Sequence, residues 1–322
     1  MLQAQAPRSR YVSTELLRGA PIATAVLESV DERVADLAER GVTPTLATVL
    51  MSDEPADERF VALKHETCAD VGIDTRDVRL EPDHPAARLS RVIEDVCNDP
   101  GVDAVFVQAP LPDHVPLSAV RTRIDPAKDV DCFHPENLGR LVADDPRFVP
   151  ATPAAVCRLL EWHDVAVAGA DVVIVGRSEP IGKPLANYLL RDDPCGNATV
   201  TVCHSHTANL ASVTRRADVL VTAAGVPELV DGSMLSPGVV VVDVSVNRRP
   251  SSASTGDHSS ARVPTESTGR TASRVVGDVA FESAREKASA ITPVPGGVGP
   301  VTLAMLAQNV VRASERRAGD EP

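Results

Sequence analysis

Residues 172–184 read Val-Val-Ile-Val-Gly-Arg-Ser-Glu-Pro-Ile-Gly-Lys-Pro. Four β-branched residues in a row favour a buried strand, and the two glycines, Gly176 and Gly182, bracket the passage into an apolar helical stretch. A glycine at the strand end permits a tight turn and close approach of a diphosphate. The second glycine lets the following helix pack on the sheet, with its free N–H groups toward the anion. The spacing departs from G-x-G-x-x-G, so an ordinary strand-to-helix turn is the competing reading; strands on both sides favour the binding one. A strand that feeds a helix in this way needs a parallel sheet to return to.

The rest of the chain has the same alternation. Residues 171–175, 198–203, 219–223 and 239–244 read as strands and 181–190 as a helix. Earlier, 16–40 carries Ile22, Val26, Val30, Val34 and Leu37 at helical spacing and ends at Gly41. A strand follows at 46–51, a helix at 57–71 stopping at Gly72, a helix at 89–98 and a strand at 102–108. From 113 to 152 prolines and acids dominate and periodicity fades. A domain boundary falls near Pro150–Pro153, with a crossing helix at 154–162. The expected fold is α/β with two domains, each a mainly parallel sheet with flanking helices. Residues 248–274, rich in Ser, Thr, Arg and Gly, read as a mobile surface insertion, solvated filler rather than a lid. Residues 291–300 form a Pro/Gly loop, 301–313 a final helix, and Met1–Arg10 a loose tail.

Aromatic residues are only 2%, so the core must be aliphatic. The net charge of −13 argues against a nucleic-acid or anionic-membrane partner, since both need a basic face. Lysine is confined to Lys64, Lys128, Lys183 and Lys287; salt adaptation and a GC-rich genome explain that equally well. The six cysteines form no Cys-x-x-Cys pair and fit neither a zinc site nor a disulfide framework, so free thiols in a reducing cytoplasm and no metal are expected. No apolar run is long enough to span a bilayer, and the N-terminus lacks a signal-peptide pattern.

The strand at 198–203 runs into His204-Ser205-His206-Thr207. An NAD site carries an acid here for the ribose hydroxyls. Arg177, Ser205 and His204 instead suit an additional phosphate, which favours NADP. Ser178 and Ile181 complete the turn, and Ala224 and Gly225 leave room for the nicotinamide ribose, or merely ease packing. In the first domain Phe60 and Lys64 lie four apart on one helix face, a platform for a flat conjugated substrate. Gln108 stands at a strand's C-terminal end, where open α/β sheets bind ligands. Asp131 sits in the turn Lys128-Asp129-Val130-Asp131, where its carboxylate suits an amino-amidine edge or a structural cap.

Five ordered segments carry a resemblance: Phe60-Val61-x-x-Lys64, Val107 to Pro112, Lys128 to Asp131, Gly176-Arg177-Ser178-x-x-Ile181-Gly182-x-Pro184, and Thr292-Pro293-Val294-Pro295-Gly296-Gly297-Val298-Gly299-Pro300. From Leu16 to Ala313 the chain resembles the bifunctional methylenetetrahydrofolate dehydrogenase/methenyltetrahydrofolate cyclohydrolase family. The resemblance implies a discontinuous catalytic domain, 1–150 with 291–322, and a Rossmann-like NADP domain, 151–290, enclosing a cleft in a cytoplasmic homodimer of one-carbon metabolism that serves purine biosynthesis. It implies oxidation of the methylene carbon between N5 and N10, then hydrolysis to 10-formyltetrahydrofolate. Lys64 would be the catalytic lysine, Gln108 its tuner and Asp131 the pterin anchor, with Phe60, Pro295, Gly296 and Gly297 lining the folate site. Four residues depart from the family pattern: Phe60 for a usual tyrosine, Asp57 for serine, and Cys132 and Ser245 for glycines. A dehydrogenase with weak cyclohydrolase, a non-catalytic folate or NADP sensor, and a methanopterin-type carrier are the alternatives.

Overall fold

A computed structural model describes residues 14–250 and 273–319. The expected loose tail at Met1–Arg10, and the greater part of the 248–274 insertion, lie outside the described residues.

The chain opens with a two-residue strand, β1 (Glu15–Leu16), and then α1 (Ala20–Glu39). Ile22, Val26, Val30, Val34 and Leu37 all point inward from α1, as their spacing requires, and Gly41 ends the turn behind it at φ +74°. The helix starts four residues later than the 16–40 reading. Glu15 and Leu16 pair with the other end of the chain, an event no local pattern signals. Next come β2 (Thr45–Leu50), α2 (Pro55–Asp70), β3 (Asp74–Arg79), α3 (Ala86–Asn98) and β4 (Ala104–Val107). The three strands form a parallel sheet in the order β3-β2-β4. Central β2 is buried along its whole length.

The segment that looked aperiodic, 113–152, holds two short helices, α4 (Leu117–Arg121) and α5 (Pro135–Val142). Neither is long enough to display a period. Helix α6 (Ala151–Trp162) then crosses to the second unit, starting at Ala151 rather than 154. Asp131 Oδ1 accepts the Ala151 N–H at 2.9 Å and so satisfies its first turn, where no side chain of Pro150 can.

The second unit runs β5 (Asp171–Val175), α7 (Gly182–Leu190), β6 (Thr199–Cys203), α8 (Leu210–Thr214), β7 (Val219–Thr222), β8 (Val240–Asp243), β9 (Asn247–Pro250), β10 (Ser273–Val276), α9 (Phe281–Arg285) and β11 (Ala290–Ile291). Its sheet is parallel throughout, in the order β1-β11-β8-β7-β5-β6. Glycine-ended β5 is therefore an interior strand, flanked by β7 and by β6, which forms the edge. The ends of the 248–274 insertion are ordered structure, since β9 and β10 pair antiparallel from Asn247–Val276 to Pro250–Ser273. The two margins of the 248–274 segment thus lie in strands: each strand's hydrogen bonds come from the other, and the length of sequence between them hides the pairing.

The last helix, α10 (Val298–Ala318), begins three residues before the expected 301 and ends on Gly319, which takes the left-handed C-terminal cap at φ +87°. It returns to pack on α1, α2 and α6. The resulting core is almost wholly aliphatic, with Phe148 the one aromatic side chain among its largest fully buried members. Asn309 on α10 donates to both Val130 O and Val149 O at 2.8 Å, fastening the helix to the turn that holds Asp131.

Candidate active site

At the C-terminal edge of the three-stranded sheet, helix α2 lays Lys64 across the end of β4. Lys64 Nζ donates to Gln108 Oε1 at 3.1 Å and stands 4.4 Å from the centre of the Phe106 ring and 5.8 Å from that of Phe60. It also donates to Phe60 O at 3.4 Å; all of these partners are neutral, so the ammonium is buried without a salt bridge. Burial lowers the Lys64 pKa to about 8, and the charges of Asp131 and Asp57 pull it only part of the way back. Phe60 is 41% exposed.

The orientation of Gln108 follows from its other contacts. Its Nε2 donates to Ala109 O at 2.7 Å and reaches Asp57 Oδ1 at 3.5 Å. A carbonyl and a carboxylate can only accept, so the amide oxygen is turned to Lys64. Asp57 is itself held by a hydrogen bond from Ser52 Oγ at 2.7 Å. The acid that departs from the family's serine is thus part of the Lys64–Gln108 cluster.

Asp131 follows a buried hinge. Asp129 accepts the N–H groups of Phe133 and His134 and the Asn137 amide at 2.8–2.9 Å, which closes the turn. Cys132 takes φ +55°, the left-handed region that costs glycine nothing, and its Sγ donates to Phe148 O at 3.1 Å. Desolvation raises the Asp131 carboxyl to about 6, and neighbouring Asp129 pushes the same way. The structure thus brings Lys64, Gln108 and Asp131 into one electrostatic neighbourhood.

The Pro/Gly loop is held against the start of α1. Gly19 N donates to Gly296 O at 2.9 Å, and a Cβ on Gly19 would fall 1.9 Å from Gly297 O. Gly297 is buried, and Pro295 is exposed after a cis Val294–Pro295 bond. A second cis bond, Ala109–Pro110, lies beside Gln108. Gly299 and Pro300 belong to the first turn of α10 rather than to the loop.

On the larger sheet, Gly176 turns at φ +136°, and a Cβ there would sit 2.3 Å from Ala223 O. A Cβ on Gly182 would likewise sit 2.2 Å from Gly176 O. Both glycines are therefore required by close backbone approach. Ser178 tightens the turn through Lys183 N to Ser178 O at 3.0 Å, and Ile181 is the residue before α7. Arg177 and Ser178 are exposed above it. Across β6, His204 N donates to Thr207 Oγ1, and His204 Nδ1 accepts the His206 N–H, leaving its Nε2 as the free ring nitrogen; Ser205 is exposed. Ala224 and Gly225 are exposed after β7. The turn, the His204–Ser205 corner and the Ala224–Gly225 loop thus follow three adjacent strands, β5, β6 and β7.

Sequence reasoning missed Phe106, Asn309 and Asp278. Phe106 sat inside a strand and looked like core. Asn309 was one polar residue on an apolar helix. Asp278, between Gly277 and Val279, is fully buried and binds the loop after β7; a lone acid following a strand was its one signal. Among the described residues no group of His, Cys, Asp or Glu is arranged to hold a metal ion, and no helix is long and apolar enough to cross a membrane. All six cysteines are free and buried.

Residues 17–131 match the model of the tetrahydrofolate dehydrogenase/cyclohydrolase catalytic domain, and residues 150–318 that of its NAD(P)-binding domain. The chain is 50% identical over 301 residues to "Bifunctional protein FolD" of Natronomonas pharaonis, covering 94% of this chain and 96% of that one. It is 49% identical over 301 residues to the FolD protein of Haloquadratum walsbyi, covering 94% and 91%. Among solved structures, the bifunctional FolD of Campylobacter jejuni superposes with a TM-score of 0.83 at 36% identity, over 94% of this chain and 99% of that one. The Trypanosoma brucei enzyme, complexed with NADP and an inhibitor, gives 0.83 at 34% identity, over 95% and 98%. Two domain models in sequence order and close relatives along nearly the whole length lead to one conclusion: the chain belongs to the tetrahydrofolate dehydrogenase/cyclohydrolase family.

Proposed function

We propose that this chain oxidises 5,10-methylenetetrahydrofolate to the 5,10-methenyl form with NADP⁺ and hydrolyses the product to 10-formyltetrahydrofolate in the same cleft. The observation that carries the reading is Lys64: a buried amine with a pKa near 8, held by a neutral amide beside two carboxylates. A structural lysine gains nothing from that setting, whereas a group that must give and take a proton near neutral pH does.

The residues at Gly176 fit a dinucleotide. Bare backbone at the strand end, at a point where even a methyl group would collide, allows a diphosphate to approach the turn closely. Gly176, Ser178, Ile181 and Gly182 would hold the diphosphate, Arg177, His204 and Ser205 the 2′-phosphate, and Ala224 and Gly225 the nicotinamide ribose. When bound, NADP⁺ supplies the two-electron oxidant. The chain's own part in that step is to fix the folate against it: Asp131 receives the pterin's N–H donors, and Phe60 stacks on the ring, with Pro295, Gly296 and Gly297 as the cleft floor. In hydrolysis water adds to the methenyl carbon. Lys64 takes the proton released and returns one to the departing N5, while Gln108 keeps the amine turned to the site. The working bodies are taken as 1–150 with 291–322 and 151–290, β1 being a strand lent across the boundary.

Membership of the family supports a cytoplasmic homodimer whose formyl product feeds purine biosynthesis, and the net charge of −13 speaks against a nucleic-acid partner. Phe60, lacking a hydroxyl, favours a second reading, a dehydrogenase with weak hydrolysis. Mixing purified protein with 5,10-methylenetetrahydrofolate and NADP⁺ decides between them. NADPH appears under both; methenyl product that decays at its buffer rate selects the second, and absence of NADPH refutes both.

A further inference from the structure

Asp278 lies outside every catalytic or binding role described so far, yet no carboxylate among the described residues of the second unit gathers more donors. It is fully buried. Its Oδ2 accepts the N–H of Ala224 at 2.6 Å, the N–H of Gly225 at 3.1 Å and the hydroxyl of Ser245 at 2.7 Å. Its Oδ1 accepts the N–H of Val226 at 2.8 Å and the Asn247 amide at 2.9 Å. Five donors thus converge from two loops, 224–226 after β7 and 245–247 after β8. Ser245, one of the departures from the family pattern, closes the circuit by accepting a second bond from Gly225 N at 3.2 Å.

The loop so held has little else to shape it. Ala223, Ala224 and Gly225 carry no side chain able to brace it, and Gly225 sits at φ +68°. Residues 224–227 face solvent. Three consecutive N–H groups all pointing to one buried anion fix the backbone far more tightly than propensity can. That backbone matters because it abuts the cofactor turn: Ala223 O is the atom a Cβ on Gly176 would strike. Asp243 braces the same junction from beneath, taking Thr222 Oγ1 at 3.0 Å, Ser245 N at 3.2 Å and Val279 N at 2.8 Å. Gly277 makes room for it, since a Cβ there would lie 1.9 Å from Asp243 Oδ2.

We infer that Asp278 is a positioning residue for the dehydrogenase half-reaction: its carboxylate clasps residues 224–226 in the shape that receives the nicotinamide ribose of NADP⁺. The inference rests on the reading of Ala224 and Gly225 as cofactor contacts. Asp278 touches neither the folate residues nor Lys64, so its influence stops at the cofactor side.

The test compares wild type with Asp278→Asn by three measurements. Amide hydrogen exchange of the cofactor-free protein should be at least about 10-fold faster at Ala224, Gly225 and Val226, since an amide offers one acceptor atom where the carboxylate offers two. The NADP⁺ dissociation constant by calorimetry, and KM for NADP⁺, should rise about 10-fold or more, with KM for the folate unchanged. Hydrolysis of added 5,10-methenyltetrahydrofolate without cofactor should proceed at the wild-type rate. Unchanged exchange, or an unchanged NADP⁺ dissociation constant, overturns the inference. If Asp278→Asn does not fold, Ser245→Ala decides: a rise of about threefold in the NADP⁺ dissociation constant upholds the clasp, and none overturns it. A wild type that does not bind NADP⁺ at all refutes the functional reading itself, and with it the clasp.

Discussion

Arg177 is a residue whose meaning comes entirely from its surroundings. It is exposed on the turn after β5, and the neighbouring strand β6 ends in His204 and Ser205 with no acid; the one opposite charge in its own turn is Glu179, which is engaged by Arg121 at 2.9 Å and Lys183 at 3.4 Å. Charge-assisted bonds of this sort contribute about 1.5–3 kcal/mol, or roughly 10- to 100-fold in affinity. Arg177→Ala should therefore weaken NADP⁺ by that factor in calorimetry while changing NAD⁺ by less than about threefold; equal losses would remove the 2′-phosphate assignment. Asp131 makes a pH prediction. Its carboxyl is raised to about 6, so the anion proposed to accept the pterin donors is present above pH 6 and lost as pH falls through it. KM for the folate should climb below pH 6 with KM for NADP⁺ unaltered, and a flat KM between pH 5 and 8 would take the anchoring role from Asp131.

At the scale of elements, the β5–turn–α7 unit rests on two glycines, Gly176 and Gly182, where close backbone approach leaves no room for a side chain. Gly176→Ala must move either its own turn or the β7 backbone at Ala223, because the clash is with a carbonyl and not with a flexible side chain. The expected result is at least a 10-fold loss of NADP⁺ affinity with cofactor-free hydrolysis retained; normal affinity would place the diphosphate elsewhere. This unit was legible in the sequence because its cause is local: β-branched residues, a glycine, a helix. Elements with non-local causes were not. β3 reads Asp-Thr-Arg-Asp-Val-Arg and looks like a loop, yet it is an edge strand whose charged side chains remain in solvent while β2 supplies its hydrogen bonds. β1 and β11 are two residues each and exist only through one another and β8. The site divides the same way. Lys64, Gln108 and Asp131 could be named from motif context, whereas Phe106 and Asp278 acquire their roles only when β4 meets α2 and when the loops after β7 and β8 meet behind β10.

Over the whole molecule, α10 binds the ends of the chain into one body: it covers α1, α2 and α6, ties down the Asp131 turn through Asn309, and starts from the loop that touches Gly19. The Lys64–Gln108 pair and the Gly176 turn therefore belong to two sheets with a common aliphatic core, an arrangement on which the proposed succession of two reactions relies. In the proposed mechanism Lys64 is the point at which the two reactions separate, since hydride loss needs positioning and hydrolysis needs a proton carrier. Its burial also implies that the fold tolerates the charge rather than depending on it, so Lys64→Met, similar in length and apolar, should melt no lower than wild type. The decisive measurement gives that variant 5,10-methylenetetrahydrofolate and NADP⁺ and follows NADPH and methenyl absorbance together. The account predicts that NADPH forms and that methenyltetrahydrofolate accumulates mole for mole with it, decaying only at the buffer rate. Methenyl product consumed by Lys64→Met as fast as by wild type would contradict it.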